Sequence, residues 1–566
     1  MRTAFGGQTK IPKSALPLHL KAHVKPMDLE ALECLPNKTP ACRKFLLEAL
    51  RWIRDPHHIG RVTLQPKRPR FSKKHFEEMK GYKYKPLVGL PEGYVDSFVR
   101  AEPSKDPNHV HGLRLRPLFA ADANHEGASR DRLQMMKMPT KGEIRVQGAD
   151  QPELVIQFDK LSYYDQFELS EGVKRKMCFH GPDGVVYALE RLPMGLRPAC
   201  EVAQATTWFL LDFPRSDRVR IATCIDNVRF VGPTEEVVEA VRTYLERCRV
   251  AGVQLDRWPK SDSTEDIIAM GERAGDFLGE HYDYDRSKRK LTKKSVKKVE
   301  MLQKWYEEQH PTTLILTARQ MSVMMGLLFW TASVLNIPLA GYFHLMREYR
   351  RLAAKASLSA QYDETAAILT MTARRELEEW LRVATSNEEV DMTPRREGSP
   401  SLTLVVDASA AGYGCIATTD FTECQVYGGQ WRSDQRKDAQ SSVWAEPEGI
   451  YLSCLRFVRP TDKHVKVFTD HSPVVDAAKA GYARGFSPNL LLLRLRRMFP
   501  QTTFEIVHVR GINNPADRIS RIGEVMGGSE KELNESEKVM LAALAPAEGM
   551  RIPLDARQKD NDSLCS

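Results

Sequence analysis

Ile221-Ala-Thr-Cys-Ile-Asp-Asn-Val-Arg-Phe-Val-Gly232 is the stretch whose reading decides the fold. An apolar run climbs to Asp226-Asn227, and a second, Val228 to Val231, leaves again and ends on Gly232. Two short β-prone segments around a polar pair predict a hairpin whose tip presents a carboxylate. Metal binding is the leading reason to place an acid at the tip of a buried hairpin. An ordinary polar turn is the bland reading, and these residues alone favour it. The flanking chain changes the balance.

Upstream, Glu153-Leu-Val-Ile-Gln-Phe-Asp159 reads as a buried strand ending in an acid, continuing into Lys160-Leu-Ser-Tyr-Tyr164. Arg191-Leu-Pro-Met-Gly-Leu-Arg-Pro-Ala199 leads into a helix that contains Gln204 and runs to about Leu211. Leu113-Arg-Leu-Arg-Pro-Leu-Phe119 alternates apolar and basic residues, as a strand with one cationic face would. Arg114 and Arg116 there read equally as ligands of a triphosphate or template backbone and as ordinary exposed strand arginines.

Phe158-Asp159…Tyr164, Leu192-Pro-Met-Gly195…Gln204 and Cys224-Ile-Asp-Asn227 stand in the order and spacing of polymerase motifs A, B and C. Together they resemble a retroelement reverse transcriptase palm. A helix over Glu235–Ala251, then Gly252-Val-Gln-Leu-Asp256…Lys260 and Asp276-Phe-Leu-Gly279, look like that family's motif D and primer-grip region. The resemblance implies two Mg²⁺ (or Mn²⁺) ions bridged by Asp159 and Asp226, with Asn227 beside them, to activate a primer hydroxyl and hold a triphosphate. It places Tyr164 under the incoming sugar to exclude a 2′-hydroxyl. It puts Met194 and Gly195 in the nucleotide pocket and Gln204 on the supporting helix. The implied partners are an RNA template, a DNA primer and dNTPs. The family usually carries Tyr-x-Asp-Asp where this chain has Cys224-Ile225-Asp226-Asn227. Losing the tyrosine changes packing near the primer end. Losing the second carboxylate removes a negative charge and weakens the hold on the catalytic metal.

A second acidic pattern lies downstream. Ser401-Leu-Thr-Leu-Val-Val-Asp407 is a buried strand ending in an acid, followed by a glycine turn into another strand. Ala445-Glu446-Pro-Glu448-Gly449 opens a helix, and Val465-Lys-Val-Phe-Thr-Asp470 is a further strand ending in Asp. Phe504 to Arg521 reads as strand, loop and helix and contains Asp517. This looks like ribonuclease H in its gypsy-type form, where His-Val-x-Gly-x-x-Asn-x-x-Asp, here His508 to Asp517, closes the domain. A set of Asp407, Glu446, Asp470 and Asp517 suits two Mg²⁺ ions on either side of a scissile phosphate in an RNA–DNA hybrid. Glu448 competes with Glu446; Glu446 is preferred because its register places small Gly449 against the sheet. His471 and His508 read as structural or substrate-side residues rather than ligands, and Arg510-Gly511 stand where the family's mobile-loop histidine would be.

The bulk properties agree with such a chain. Its 566 residues suffice for several cores, and 42% hydrophobic with 28% charged residues excludes wholesale disorder. The net charge of +9 leans toward a polyanionic partner. Ten cysteines without a C-x-x-C argue against a zinc module or disulfide framework and point to a reducing compartment. The first 27 residues lack acids but carry Arg2, Lys10, Lys13, Lys21 and Lys25, which reads as a transit peptide or a basic arm. Nucleus or cytoplasm is the expectation from the resemblance, with mitochondrial targeting left open. Met321 to Phe343 is uncharged and long enough to span a bilayer. Asn336-Ile-Pro338 within it predicts two core helices broken at the proline, with no membrane involved.

Between 286 and 298 stand eight cations, among them Lys288, Arg289, Lys290, Lys293, Lys294, Lys297 and Lys298. A solvated helix face is the default reading of a charge run; beside a palm it reads as a thumb gripping a duplex backbone. The Met325–Trp330 and Asn336–Pro338 region resembles the connection of DIRS- and VIPER-like retroelements, whose recombinase would lie on a separate chain. The expected fold class is multidomain α/β and α+β: polymerase fingers–palm with a helical thumb/connection, followed by a ribonuclease-H-like mixed sheet with flanking helices. The expected divisions are a basic region of unassigned role (1–110, with a helix around Cys42–Ile53), fingers and palm (111–285), thumb/connection (286–384), linker (385–400), ribonuclease H (401–522) and a flexible tail (523–566). The favoured function is an RNA-directed DNA polymerase with ribonuclease H activity. A domesticated, polymerase-inactive nucleic-acid-binding scaffold is the alternative. An RNA-dependent RNA polymerase fits the Asp-Asn tip but leaves Tyr164 and the second domain unexplained.

Overall fold

The structure is a computed structural model, and it describes residues 13, 16–18, 23–103, 113–122, 125–129, 131, 133, 152–309, 314–359, 361–392, 400–421, 423–521 and 533–545. Arg2, Lys10 and Lys21, part of the expected linker, and most of the expected tail lie outside these residues. The chain forms two compact units, one over Gly7–Arg289 with Asp391–Pro394, the other over Lys290–Val390 and Arg395–Ser566.

The first unit is organised by a three-stranded antiparallel sheet. Strand Leu154–Asp159 pairs with Asn227–Gly232, which pairs in turn with Arg220–Cys224. The expected hairpin is therefore present, with Ile225 and Asp226 as its two turn residues. One face of the sheet buries Ile156, Phe158, Val228 and Phe230 against Tyr244 on helix Thr234–Val250 and against helix Ala199–Leu210. The rings of Phe158, Phe230 and Tyr244 lie 5.5–6.2 Å apart. Complete burial of each such ring stabilises the fold by about 2–3 kcal/mol. The other face carries Val155, Ala222 and Val231, which pack with Phe277, Tyr282 and Tyr284 of the hairpin Ala274–Phe277/Glu280–Asp283.

Residues 23–103 belong to the same core. Leu32, Leu46, Leu50, Trp52, Ile53, Phe76 and Tyr84 pack into the cluster that holds Phe158 and Phe230. The helix expected around Cys42–Ile53 spans Pro40–Arg54. The sequence shows it best because its apolar residues recur at helical spacing; the shorter neighbouring elements carry no such period.

In the second unit, four helices (Lys293–Glu307, Ala318–Leu335, Phe343–Ser359 and Met371–Ser386) enclose Leu302, Met324, Met325, Leu328, Leu345 and Trp380. Asn336, at φ +51°, ends the second of these helices, and Pro338 separates it from the next. The uncharged run is thus one core helix ending at Leu335, a break at Asn336–Pro338 and the 3-10 turn Leu339–Tyr342 that leads into the next helix at Phe343, where two helices were expected. Among the described residues no helix is long and apolar enough to cross a membrane.

This helical part packs against helices that flank a five-stranded mixed sheet, through Ala340 N, which donates to Gly481 O at 3.1 Å, and through Phe343 and Phe486, 5.6 Å apart. The strand order is Cys424–Gln430, Gly412–Thr418, Leu402–Ala408, His464–Thr469, Thr503–His508. The first two pairings are antiparallel and the last two parallel. Strand Leu402–Ala408 is central and covered on both faces, which is why it reads as an unbroken apolar run. Leu402, Leu404 and Val406 face Ile450, Cys454 and Leu491 on helices Ser442–Phe457 and Phe486–Met498. Val405 faces Ile519 on helix Asp517–Arg521. The architecture is the expected one: a multidomain mixed α/β chain with a palm-type sheet, a helical segment and a ribonuclease-H-like sheet.

Candidate active sites

At the palm sheet, register places Asp159 opposite Asn227, and Lys160 N donates to Asp226 O at 3.1 Å. The end of one strand and the tip of the hairpin thus lie side by side. Ile225 is held at φ +57°, a left-handed conformation that a β-branched residue adopts only when its surroundings over-determine it. Helix Ala199–Leu210 supplies the restraint. Gln204 Oε1 accepts from Ile225 N at 2.5 Å, and Thr207 Oγ1 donates to Ile225 O at 2.6 Å. Gln204 is fully buried, so its contact is with the hairpin rather than with solvent. Thr207 escaped the sequence reading; the signal for it was its position three residues beyond Gln204, on the same helix face.

The tip itself departs from a paired-acid arrangement. Asn227 Nδ2 donates to Asp226 Oδ1 at 2.9 Å, so the amide occupies an oxygen of the neighbouring carboxylate. Beneath the tip, Lys160 is buried with its ammonium 4.9 and 5.9 Å from the Tyr163 and Tyr244 ring centres. Burial pulls its pKa down to about 8. The donor set of Asp159 and Asp226 is all oxygen and suits a hard divalent cation, with less negative charge than a three-acid site.

The neighbouring candidate pocket residues are also placed. Tyr164 follows Asp159 on a single turn, Tyr163–Gln166, and its hydroxyl lies 3.3 Å from Cys200 Sγ. Burial, then Cys200, raise the phenol's pKa. Gly195 has φ +117°, and a Cβ there would stand 2.9 Å from Phe119 O. Only glycine fits this approach of the loop to the arginine-bearing strand Leu113–Ala120. Both arginines of that strand pair with Glu102 on the adjacent strand, Arg114 Nε at 2.8 Å and Arg116 Nε at 2.7 Å. Arg116 Nη1 also reaches Met194 Sδ at 3.2 Å, which brings it to the glycine loop.

The stretch of cations divides. Lys288–Leu291 is a short strand, not the lead of a helix. Lys288 pairs with Asp391 at 2.6 Å and Lys290 with Glu389 at 2.8 Å, while Arg289 is buried and donates to Asp391 O and Met392 O. Lys293, Lys294, Lys297 and Lys298 stand exposed on one side of helix Lys293–Glu307, whose other side buries Val299 and Leu302.

The mixed sheet gathers the other acids. Asp407 ends the central strand, Asp470 follows its parallel neighbour, and Glu446 sits in the first turns of helix Ser442–Phe457. One oxygen from each lies within 4.8 Å of the other two. Asp407 Oδ1 accepts from Asn514 Nδ2 at 3.2 Å and Oδ2 from Ser520 Oγ at 2.5 Å. Glu446 Oε1 accepts from Ala408 N at 3.3 Å, whereas Oε2 is buried without a hydrogen-bond partner. Burial, reinforced by Asp470 against the Ser520 bond, pushes Asp407 up to about 6. Burial, then the Asp407 and Asp470 charges, push Glu446 up to about 9. Three crowded carboxylates and an unsatisfied buried oxygen together fit a divalent cation bound by oxygen.

Asp517 stands apart from this trio. It opens helix Asp517–Arg521, and both its oxygens are taken by Arg521, at 3.0 and 2.7 Å. Glu448 points elsewhere, its Oε2 accepting from Arg494 Nη1 at 2.6 Å, while Gly449 lies against Ala408 and Tyr413. Gly511 allows the closing loop to reach Asp470, since a Cβ there would lie 2.8 Å from Asp470 Oδ2. His471 is buried at the start of the next helix, and His508 is exposed. Ser520, like Thr207, was missed by the sequence reading; its signal was its place three residues after Asp517 on a one-turn helix.

These two sites define a mixed α/β multidomain fold that pairs a palm-type sheet with a ribonuclease-H-like one. No family model matches the sequence, and no curated protein matches it. Among solved structures the chain is similar to the foamy viral protease-reverse transcriptase dRH in complex with double-stranded DNA, with TM-score 0.43 and 14% identity over 89% of this chain and 85% of that one. It is also similar to the foamy viral protease-reverse transcriptase with double-stranded DNA (TM-score 0.41, 14% identity, 88% and 99% covered). A third similar structure is that of the foamy viral enzyme with an RNA/DNA hybrid (TM-score 0.41, 12% identity, 94% and 68% covered).

Proposed function

We propose that this chain is a retroelement RNA-directed DNA polymerase with ribonuclease H activity, acting on an RNA template, a DNA primer, dNTPs and RNA–DNA hybrids. The single observation that carries the nuclease half is the convergence of buried Asp407 and Glu446 with half-buried Asp470 on a ribonuclease-H-like sheet, with a Glu446 oxygen left unsatisfied. Divalent ions bound there would supply an activated water and charge stabilisation at the scissile phosphate. Asn514 and Ser520 orient Asp407, Gly511 admits the closing loop beside Asp470, and Asp517 with Arg521 borders the site. At the palm, Asp159 and Asp226 would hold a divalent metal, Gln204 and Thr207 fix the hairpin tip, and Tyr164, Met194, Gly195 and Arg116 would shape the nucleotide pocket. The exposed lysines of helix Lys293–Glu307 neutralise the duplex backbone, an attraction that weakens steeply with salt.

Incubation of the full chain with an RNA–DNA hybrid and Mg²⁺ or Mn²⁺ tests the nuclease. The RNA strand is cut by the wild type, and Asp407→Asn lowers the rate by more than the roughly 100-fold typical of losing a group behind a metal ligand. A hybrid left intact by the wild type across a range of both ions refutes the assignment.

The second reading, a polymerase-inactive scaffold that keeps the nuclease fold, is favoured by the Asn227 amide on the Asp226 carboxylate. Primer extension by the wild type and Asn227→Asp separates the two. Polymerase function predicts extension by the wild type, with Asn227→Asp active at lower Mg²⁺. Extension by Asn227→Asp alone supports the scaffold.

A further inference from the structure

Helix Ala199–Leu210 meets the proposed polymerase site through four residues at successive turns. Gln204 and Thr207 hold Ile225, and Thr207 with Ala203 O holds the Tyr163 hydroxyl at 3.1 and 3.2 Å. The first turn of the same helix presents Cys200, whose Sγ lies 3.3 Å from the Tyr164 hydroxyl. Cys200 is exposed and Tyr164 only partly buried, so this contact lies within reach of solvent. The phenol ring packs against the core along one side, and the thiol is the polar group that restrains its free end.

We propose that Cys200 is a positioning residue that sets sugar selectivity by holding the Tyr164 hydroxyl in place. This rests on the reading of Tyr164 as the group that excludes a 2′-hydroxyl. A phenol tethered at its oxygen cannot swing away from an incoming ribose, whereas an untethered one yields to it. The thiol does not touch the nucleotide in this account; its whole effect passes through the orientation of Tyr164. Helix Ala199–Leu210 thereby positions the gate and the metal-binding tip together, because one rigid element contacts both.

The test is a cycle of Cys200→Ala, Tyr164→Phe and the double variant in the full chain, with kcat/KM measured for a dNTP and its matching rNTP. Each single variant is expected to lower discrimination about fivefold, the ratio that one net side-chain hydrogen bond supports. The double is expected to fall no further than either single, because all three lack the same contact. Cys200→Ser, which keeps a hydroxyl at this place, is expected to restore most of the discrimination, a rescue that loss of helix packing would not allow. Wild-type discrimination in Cys200→Ala, or multiplied effects in the double, overturns the proposal. Tyr164→Ala distinguishes the failures: if it too leaves selectivity unchanged, the gate reading falls as well, and if it alone opens the pocket, only the role of Cys200 falls. A wild-type chain that incorporates no nucleotide overturns both.

Discussion

Replacing Glu446 by Gln should make the metal-free protein more stable while removing the share of its Mg²⁺ response that comes from the Asp407/Glu446/Asp470 site. Glu446 is 5% exposed, has one oxygen without a partner, and sits within 4.8 Å of two other acids. Its pKa rises from an ordinary 4.5 to about 9 in the fold, chiefly through burial. A folded-state pKa above the unfolded value means that the native state binds the proton more tightly. The associated stability is complete below pH 4.5 and is lost as pH rises through 9. Each pH unit in that window is worth about 1.4 kcal/mol, so at pH 8 the loss approaches about 5 kcal/mol. Gln keeps the acceptor for Ala408 N, cannot ionise, and offers N–H donors to the adjoining carboxylates. With EDTA at pH 8, Glu446→Gln should therefore melt about 5 °C or more above the wild type, and the difference should shrink toward pH 5. Adding Mg²⁺ at ten times the dissociation constant of the Glu446 site should stabilise the wild type by about 1.4 kcal/mol more than the variant, which keeps only the Asp159/Asp226 site. Thermal melts followed by circular dichroism, with EDTA and across a Mg²⁺ titration, read both effects. A variant less stable than wild type at pH 8 in EDTA, or one gaining equally from Mg²⁺, would refute the reasoning.

Gln204→Ala leaves the partly buried Ile225 amide without its acceptor, at a cost of about 1–3 kcal/mol. Primer extension should fall by roughly tenfold or more while cleavage of an RNA–DNA hybrid is unchanged, and equal loss of both activities would count against the assignment. Ser520→Ala removes the donor to Asp407 Oδ2, and nuclease turnover should drop by roughly 10- to 100-fold with extension intact; unaltered cleavage would show that Asp407 needs no such restraint.

Two kinds of residue were legible in the sequence for different reasons. Strands such as Leu402–Ala408 and Leu154–Asp159 announce themselves because burial on both faces demands an unbroken apolar run, and an acid at the end of such a run stands out. The candidate pairs Asp159/Asp226 and Asp407/Asp470 were visible on that basis, whereas the preference for Glu446 over Glu448 rests on a register that places Gly449 against the sheet, where Gly449 does lie beside Ala408 and Tyr413. The cation stretch from Lys288 to Lys298 misled in part, because charge density does not reveal which side chains find acids elsewhere. Lys288 and Lys290 meet Asp391 and Glu389, about a hundred residues away.

Local pattern therefore determined the order of elements, the hairpin at Asp226 and the acids at strand ends, because periodicity and turn chemistry act over a few residues. Only the tertiary structure decided that residues 23–103 complete the core behind the Asp159/Asp226 sheet, that Asn514 and Ser520 hydrogen-bond Asp407, and that Asp517 turns to Arg521. The same holds for helix Ala199–Leu210, whose Cys200, Gln204 and Thr207 reach Tyr164 and Ile225. Those contacts join segments separated by tens to hundreds of residues, and their partners are chosen by packing geometry, which no local signal encodes.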